Sequence, residues 1–302
     1  MIRRISGTAV VITGATSGIG RETALQFADA GARVVVAGRR EERLKELVSE
    51  IEAKGGEALA VRADVADQSQ VDNLIETAFE KFGRVDTLVN NAGVALAAKF
   101  ETQTLEDFRR LMDVNFWGAV YGCRARGAAD EDSTRGGVII NISSILGKRG
   151  MPFETAYCAS KFALAGFSES LRVELMTESI DVVSVFPGAV ETEIFESAAN
   201  HTGLEMPTFL PKFPAKEMAR LIVRAARYPQ PEIVMALDAL AINAANKLVP
   251  SIVDLALGWT VPFMDGIRRA SKSNNSEKDR RQPLRAAKNT DRKYRKSRIA
   301  LW

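Results

Sequence analysis

The sequence predicts an α/β fold: one doubly wound domain with helices on both faces of a parallel seven-stranded sheet. Three observations carry that reading. Short apolar runs alternate with segments of helical periodicity from Ala9 to Ala236. The apolar runs are continuous rather than alternating with polar residues, as strands require when both faces of their sheet are covered. A glycine-rich turn, "TGATSGIG" (13–20), joins the first strand to the first helix. A chain of 302 residues that is 46% hydrophobic can bury a substantial core. No internal repeat and no linker-like composition appear before Arg268. The expected layout is one domain over 1–237, a helical extension over 238–267 and a basic, disordered tail over 268–302.

Each element has a local cause. Ala9 to Thr13 reads as a strand, and Ile19 to Ala30 as a helix stopped by Gly31. "RVVVA" (33–37) is a buried-type strand. Leu44, Leu47, Val48 and Ile51 recur at helical spacing within 41–54, and Gly55 and Gly56 end that helix. "EALAVRADV" (57–65) is a strand, 68–82 a helix and "VDTLVNNAG" (85–93) a strand. A helix around 104–122 precedes the strand "GVIINIS" (137–143). A helix over about 156–178, the strand "DVVSVFPG" (181–188), a helix over 215–227 and the strand "EIVMA" (232–236) complete the series.

Charge is unevenly placed. The net formal charge is +3, but residues 268–302 hold 13 Lys/Arg against 3 Asp/Glu, leaving 28 against 35 in residues 1–267. Cys123 and Cys158 are the only cysteines and His201 the only histidine, a set too sparse for a zinc or haem site. Two cysteines in this length fit a reducing compartment, and "MIRRISGTAVVITGATSG" lacks a secretory apolar core, so a cytoplasmic location is expected. Residues 236–264 are the most apolar stretch, but Asp238, Lys247 and Asp254 interrupt them, which reads as amphipathic helices rather than a membrane span.

The glycine turn carries the first chemistry. Gly14, Gly18 and Gly20 stand directly after a strand and at the start of a helix. Small residues there let backbone N–H groups approach a pyrophosphate, and the helix N-terminus adds positive potential. NAD binders often place a carboxylate at the end of the second strand to accept from the ribose 2′-hydroxyl. Here Gly38 occupies that end, followed by Arg39 and Arg40, a pair suited to a 2′-phosphate. NADP(H) is therefore preferred over NAD(H), with a plain basic turn as the alternative.

Further motifs follow in order: "DV" (64–65), "NNAG" (90–93), "VNFWG" (114–118), "NISS" (141–144), "YCASK" (157–161) and "PGAVET" (187–192). With the glycine turn, this ordered set resembles the short-chain dehydrogenase/reductase family over residues 8 to about 237. The resemblance implies a Rossmann-type domain with strand order 3-2-1-4-5-6-7. It places cofactor contacts at Gly14, Ser17, Gly18, Ile19 and Gly20, at Arg39 and Arg40, and at Asp64 and Val65 beside the adenine. Further contacts fall on Asn91, Ala92 and Gly93 at the fourth strand end, on Tyr157 and Lys161, and on Pro187, Gly188, Val190 and Thr192 toward the nicotinamide. The catalytic roles fall on Asn115, Ser144, Tyr157 and Lys161. The family's serine lies 13 residues before its tyrosine, which selects Ser144, with Ser143 the competing neighbour.

The residue types suit carbonyl reduction. The hydride comes from the nicotinamide, and a phenol can donate the proton. A free tyrosine titrates near pH 10, so an ammonium one helical turn away is expected to favour the tyrosinate. A serine hydroxyl polarises the substrate oxygen. Asn115 can hold a water near Lys161, or can be a back-bonded helix residue.

Leu96, Leu146, Phe153, Phe195, Met206 and Phe209 are expected to face the substrate or to pack under a lid, which points to a small hydrophobic carbonyl or alcohol. The Pro-rich stretch 201–214 has the length of a mobile lid, with His201 in it, and Cys158 reads as packing. After "VNFWGAVYG" the chain turns polar with "CRARGAADEDSTRGG", which departs from the family's apolar fifth helix and bears on the expected homo-oligomer. The C-terminal region either docks as helices with a solvated tail or touches a membrane surface, and no nucleic-acid recognition module accompanies its basic residues. The leading reading is an NADP(H)-dependent oxidoreductase acting on a hydrophobic ketone or aldehyde and its alcohol. The alternatives are a 3-oxoacyl-thioester reductase and a nucleotide-binding regulatory protein without turnover.

Overall fold

A computed structural model describes residues 2–129, 136–192, 199–200, 212–235, 245–246, 248–259 and 261–262. Seven strands build the main sheet: β1 (Ala9–Thr13), β2 (Arg33–Gly38), β3 (Glu57–Arg62), β4 (Thr87–Asn90), β5 (Gly137–Ile142), β6 (Ile180–Phe186) and β7 (Glu232–Val234). All pair in parallel, in the spatial order 3-2-1-4-5-6-7. The order reverses between β1 and β4, where Val10 pairs with Thr87 on one side and Val34 on the other. That crevice is where doubly wound sheets bind ligands.

Alternate strand residues feed two cores. Val10, Ile12, Val34, Val36 and Ile140 face α1 (Gly18–Asp29), α2 (Glu41–Ala53) and α7 (Ala215–Arg227), which contribute Phe27, Leu47 and Ile222. Ala9, Val11, Val35 and Leu88 face α3 (Gln68–Phe82) through Leu74, Ile75 and Phe82. Farther along that face, Ile139 and Val182 meet Cys123 of α5 (Gly118–Ala129) and Phe167 and Leu171 of α6 (Thr155–Glu174). Burial on both faces accounts for the continuous apolar strands.

Some boundaries differ from the sequence expectation. The helix expected over 104–122 begins at α4 (Leu105–Met112), whose Thr104 cap and Asp107 satisfy each other's backbone N–H groups. It then passes through a π-helical turn, Asp113–Trp117, before α5. β7 stops at Val234, and Ala236 lies outside the described residues. Two short parallel pairs sit above the sheet: Leu96–Ala97 with Ala199–Asn200, and Val190–Glu191 with Phe213–Pro214. Most of the expected lid, the polar stretch 130–135, the domain boundary at 237 and the tail 268–302 also lie outside the described residues. Residues 250–259 are helical, and no described helix is long and apolar enough to cross a membrane.

Candidate functional site

The site forms where the C-terminal ends of β1, β4, β5 and β6 converge. At the end of β1 the chain turns with Gly14 at φ +67° and Gly18 at φ +54°. Both are left-handed conformations that glycine adopts without penalty. A Cβ on Gly14 would lie 2.7 Å from Ala92 Cα, and one on Gly18 would lie 2.9 Å from the Thr192 methyl. A Cβ on Gly20 would collide with the Asn91 amide and the Gly14 carbonyl. The loop is therefore clamped between the β4 end and the segment after β6. Asn91 Nδ2 donates to the carbonyls of Thr13 (2.9 Å) and Gly14 (3.2 Å). Thr13 Oγ1 accepts from the N–H groups of Asn91 and Ala92, both at 3.1 Å. Ser17 caps α1 without a side-chain bond to the helix, and no acidic residue stands in the first turn. The helix end keeps its positive potential, which suits a phosphate beside Gly18, Ile19 and Gly20.

At the end of β2, a Cβ on Gly38 would lie 2.8 Å from the Thr16 methyl. The glycine loop thus excludes a larger residue where a ribose-binding carboxylate would stand. Arg40 reaches back over that loop, donating to Thr16 Oγ1 (2.7 Å) and Ser17 Oγ (2.8 Å). Arg39 is exposed, 3.9 Å from Asp64. Asp64 also accepts from Ala66 N at 3.2 Å, and Val65 is buried against Val71 and Val114.

The proposed catalytic residues meet on the other side of β4. β5 ends in two serines with different tasks. Ser143 Oγ donates to the Lys161 carbonyl at 3.0 Å and so ties the strand to α6. Ser144 Oγ accepts from Leu146 N at 3.1 Å and lies beside the Tyr157 phenol. Tyr157 and Lys161 lie one turn apart on α6, both buried. Lys161 Nζ donates to the Ile142 carbonyl at 2.9 Å and sits 5.7 Å from the Tyr157 ring centroid. Asn115 occupies the π-helical turn and is buried. Its amide nitrogen donates to Val94 O and Ser160 Oγ, both at 2.9 Å, while its oxygen accepts from Val94 N at 2.8 Å. Gly93 joins the two halves of the site. A Cβ there would lie 3.3 Å from Asn115 Oδ1 and 3.6 Å from Lys161 Nζ.

Burial dominates the electrostatics. It pushes the Tyr157 phenol above its usual value; the Glu154 carboxylate adds to that rise and the Ser144 hydroxyl opposes it. The same burial lowers Lys161 to about 8. It raises Glu154, which caps α6, to about 7. Both cysteines are free and buried, and burial raises Cys158 to about 11 and Cys123 to about 12.

Leu96 and Leu146 pack with Tyr157 and Ala156 to wall the phenol. Phe153, also read as substrate-facing, takes a left-handed φ of +69° while its carbonyl accepts from Ala98 N at 2.8 Å. Phe195, Met206, Phe209 and His201 lie outside the described residues. Behind the serines, Pro187 O accepts from Ile145 N at 2.9 Å. Gly188 has open space toward Met235, and Val190 is buried.

Two residues escape a reading of the sequence. Ser160 reads as helix filling, but its hydroxyl donates to Tyr157 O at 2.7 Å and accepts from Asn115, so it locks the π-helical turn onto α6. Glu154 looks like a surface carboxylate before a helix, and it is buried. Only its odd place in an apolar turn, "MPFETAY", hints at this. Among the described residues no group of His, Cys, Asp and Glu could hold a metal ion.

Comparison with known proteins matches this geometry. The family model for short chain dehydrogenases matches residues 8–203. An uncharacterized oxidoreductase, YxnA, of Bacillus subtilis is 39% identical over 258 residues, covering 84% of this chain and 72% of that protein. A 3-oxoacyl-[acyl-carrier-protein] reductase of Synechocystis is 36% identical over 231 residues, covering 76% of this chain and 87% of the relative. A crystal structure of a short chain dehydrogenase/reductase from Burkholderia phymatum, in complex with NAD, superposes with a TM-score of 0.76 at 26% identity, covering 83% of this chain and 96% of that one. The chain therefore belongs to the short-chain dehydrogenase/reductase family and is an NAD(P)-dependent oxidoreductase.

Proposed function

We propose that the protein uses NADP(H) to interconvert a hydrophobic ketone or aldehyde and its alcohol, with Tyr157 as the acid/base. The observation that carries this reading is the buried cluster of Ser144, Tyr157 and Lys161, walled by Leu96 and Leu146 and joined through Gly93 to the glycine loop. A cradle that any Cβ at Gly14 or Gly18 would fill, at an uncompensated helix N-terminus, fits a dinucleotide pyrophosphate. When bound, the nicotinamide cofactor supplies or takes up the hydride at the carbinol carbon.

The chain's own residues handle the proton. In reduction, Tyr157 donates to the carbonyl oxygen, and Ser144 hydrogen-bonds the same oxygen as negative charge develops there. Lys161 and the N-terminal end of α6 stabilise the phenolate left behind. Asn115 spends both amide protons on Val94 and Ser160, so its side chain positions the strand end against α6. A water relay toward Lys161 would use Asn115's remaining oxygen lone pairs.

The NADP preference rests on Gly38, which leaves no carboxylate at the β2 end, and on Arg39 and Arg40 beside it. Charge-assisted bonds to a 2′-phosphate should make NADPH bind about tenfold or more tighter than NADH. Fluorescence titration of both cofactors checks this, and tighter NADH binding refutes it. A second reading, reduction of a 3-oxoacyl thioester, draws on the name of the Synechocystis relative. Measuring NADPH consumption across ketones, aldehydes and 3-oxoacyl thioesters separates the two, and preference for the thioester reverses their ranking.

Self-association has support as well. Trp117, Phe162, Val173 and Met176 are exposed, and Trp117 stacks on Tyr121 while Phe116 meets Phe167. This apolar face lies before the polar stretch that follows α5, and it suits a homo-oligomer. Two free, buried thiols fit a reducing, cytoplasmic location.

A further inference from the structure

The helix at residues 250–259 carries apolar side chains where they have nothing to cover. Leu248 stands just before the helix, and Ile252, Leu255 and Trp259 follow one another within it at intervals of three and four residues, which places those three on one helical face. They are 80%, 65%, 58% and 73% exposed. Val253 and Leu257, on the opposite face, are partly buried. The helix is fastened to the body from that side. Arg149 Nη1 donates to Asn246 Oδ1 at 2.6 Å, and Arg149 pairs with Asp254. Asn246 Nδ2 in turn donates to Lys148 O at 3.5 Å, and Lys148 pairs with Glu232 of β7 at 2.7 Å. Lys148 and Arg149 directly follow the turn that begins at Ser144. The helix is therefore anchored to the turn that follows Ser144, with its apolar stripe exposed.

We propose that this stripe docks on the surface of an anionic phospholipid bilayer. Charge complementarity names the occupant. The Lys/Arg-rich tail begins at Arg268, nine residues beyond Trp259, and carries 13 basic against 3 acidic residues. An apolar face inserted at the headgroup boundary and a polybasic segment on anionic lipid are the two signals that together hold a protein at a membrane surface. Trp259 has the amphipathic ring suited to that boundary. Docking here brings the turn that follows Ser144 toward the bilayer, where a hydrophobic carbonyl compound concentrates. The docking surface is independent of which carbonyl is reduced.

Co-sedimentation of the full chain with vesicles tests this. The protein is expected to pellet with vesicles of phosphatidylcholine and phosphatidylserine, to stay in solution with phosphatidylcholine alone, and to be released by added salt. The variant Leu248→Ser, Ile252→Ser, Leu255→Ser, Trp259→Ser should lose roughly tenfold or more of the partitioning, while reduction of a water-soluble ketone continues. Trp259→Phe alone should abolish most of the fluorescence blue shift on vesicle binding. A wild-type protein that stays in solution with the anionic vesicles overturns the proposal, as does a quadruple variant that pellets as well as wild type. Light scattering on both proteins identifies the other occupant: a quadruple variant that falls from oligomer to monomer, with vesicle binding intact, assigns the stripe to a second copy and also overturns it. Failure of the reductase reading would appear separately, as lack of turnover in solution.

Discussion

Tyr157 stands between groups that move its proton in opposite directions. Burial and Glu154 hold the proton on, and Ser144 helps to release it. Replacing Glu154 by Gln removes a charge that raises the phenol, so the acid limb of alcohol oxidation, which needs tyrosinate, should move to lower pH in a kcat/KM profile. The same residue bears on stability. Its folded-state value of about 7 lies above its ordinary 4.5 because burial disfavours the charged form. The cost is absent below the ordinary value, grows as pH rises toward 7 and is then constant. Glu154→Gln should therefore raise the melting temperature at pH 8, by up to about 3 kcal/mol of stability, and change little at pH 4. Ser160→Ala should strand the buried Asn115 amide at a cost of about 1–3 kcal/mol, visible in urea unfolding, and lower kcat more than it changes KM. Ser144 was legible because the family spacing counts back to it from Tyr157. Ser160 and Glu154 were not, because a serine inside a helix and a glutamate before one show their partners and burial only after α4, α5 and α6 have packed.

At the scale of elements, the glycine loop and the π-helical turn do the positioning. Gly20→Ala would drive a methyl group into the Asn91 amide and the Gly14 carbonyl, which are pinned to β1 and β4. It should weaken cofactor binding and cost about 1–3 kcal/mol, as overpacking against fixed backbone does. Gly127→Ala provides the contrast. That glycine is exposed on α5 with nothing within 4 Å of an added Cβ, so the change should stabilise the protein by about 0.5–1 kcal/mol in thermal melts. Apolar periodicity located α2, α3 and α7 closely, with glycines ending the first two at Gly55 and Gly83, because those signals are local. The turn at Asp113–Trp117 has no such signal. It exists because Asn115 bonds Val94 and Ser160 at once, contacts distant in sequence. β7 pairs with β6 over Glu232–Val234, and Met235 N still donates to Phe186 O at 3.3 Å.

For the whole molecule, the parallel sheet followed from continuous apolar strands separated by helices, while the order 3-2-1-4-5-6-7 came only with the resemblance to a family. Composition could separate the basic tail from the acidic body, but the outward stripe at 248–259 needed the helix to be anchored by Arg149 before its unburied face was evident. The central claim is that this fold brings a nicotinamide cofactor to Tyr157. The most direct measurement is carbonyl-dependent NADPH oxidation by the intact protein beside its Tyr157→Phe variant, with NADPH affinity followed by fluorescence. The Tyr157→Phe variant should bind NADPH as wild type does and lose at least about a hundredfold in kcat, the scale of a missing general acid. A Tyr157→Phe protein that keeps the full rate would contradict it.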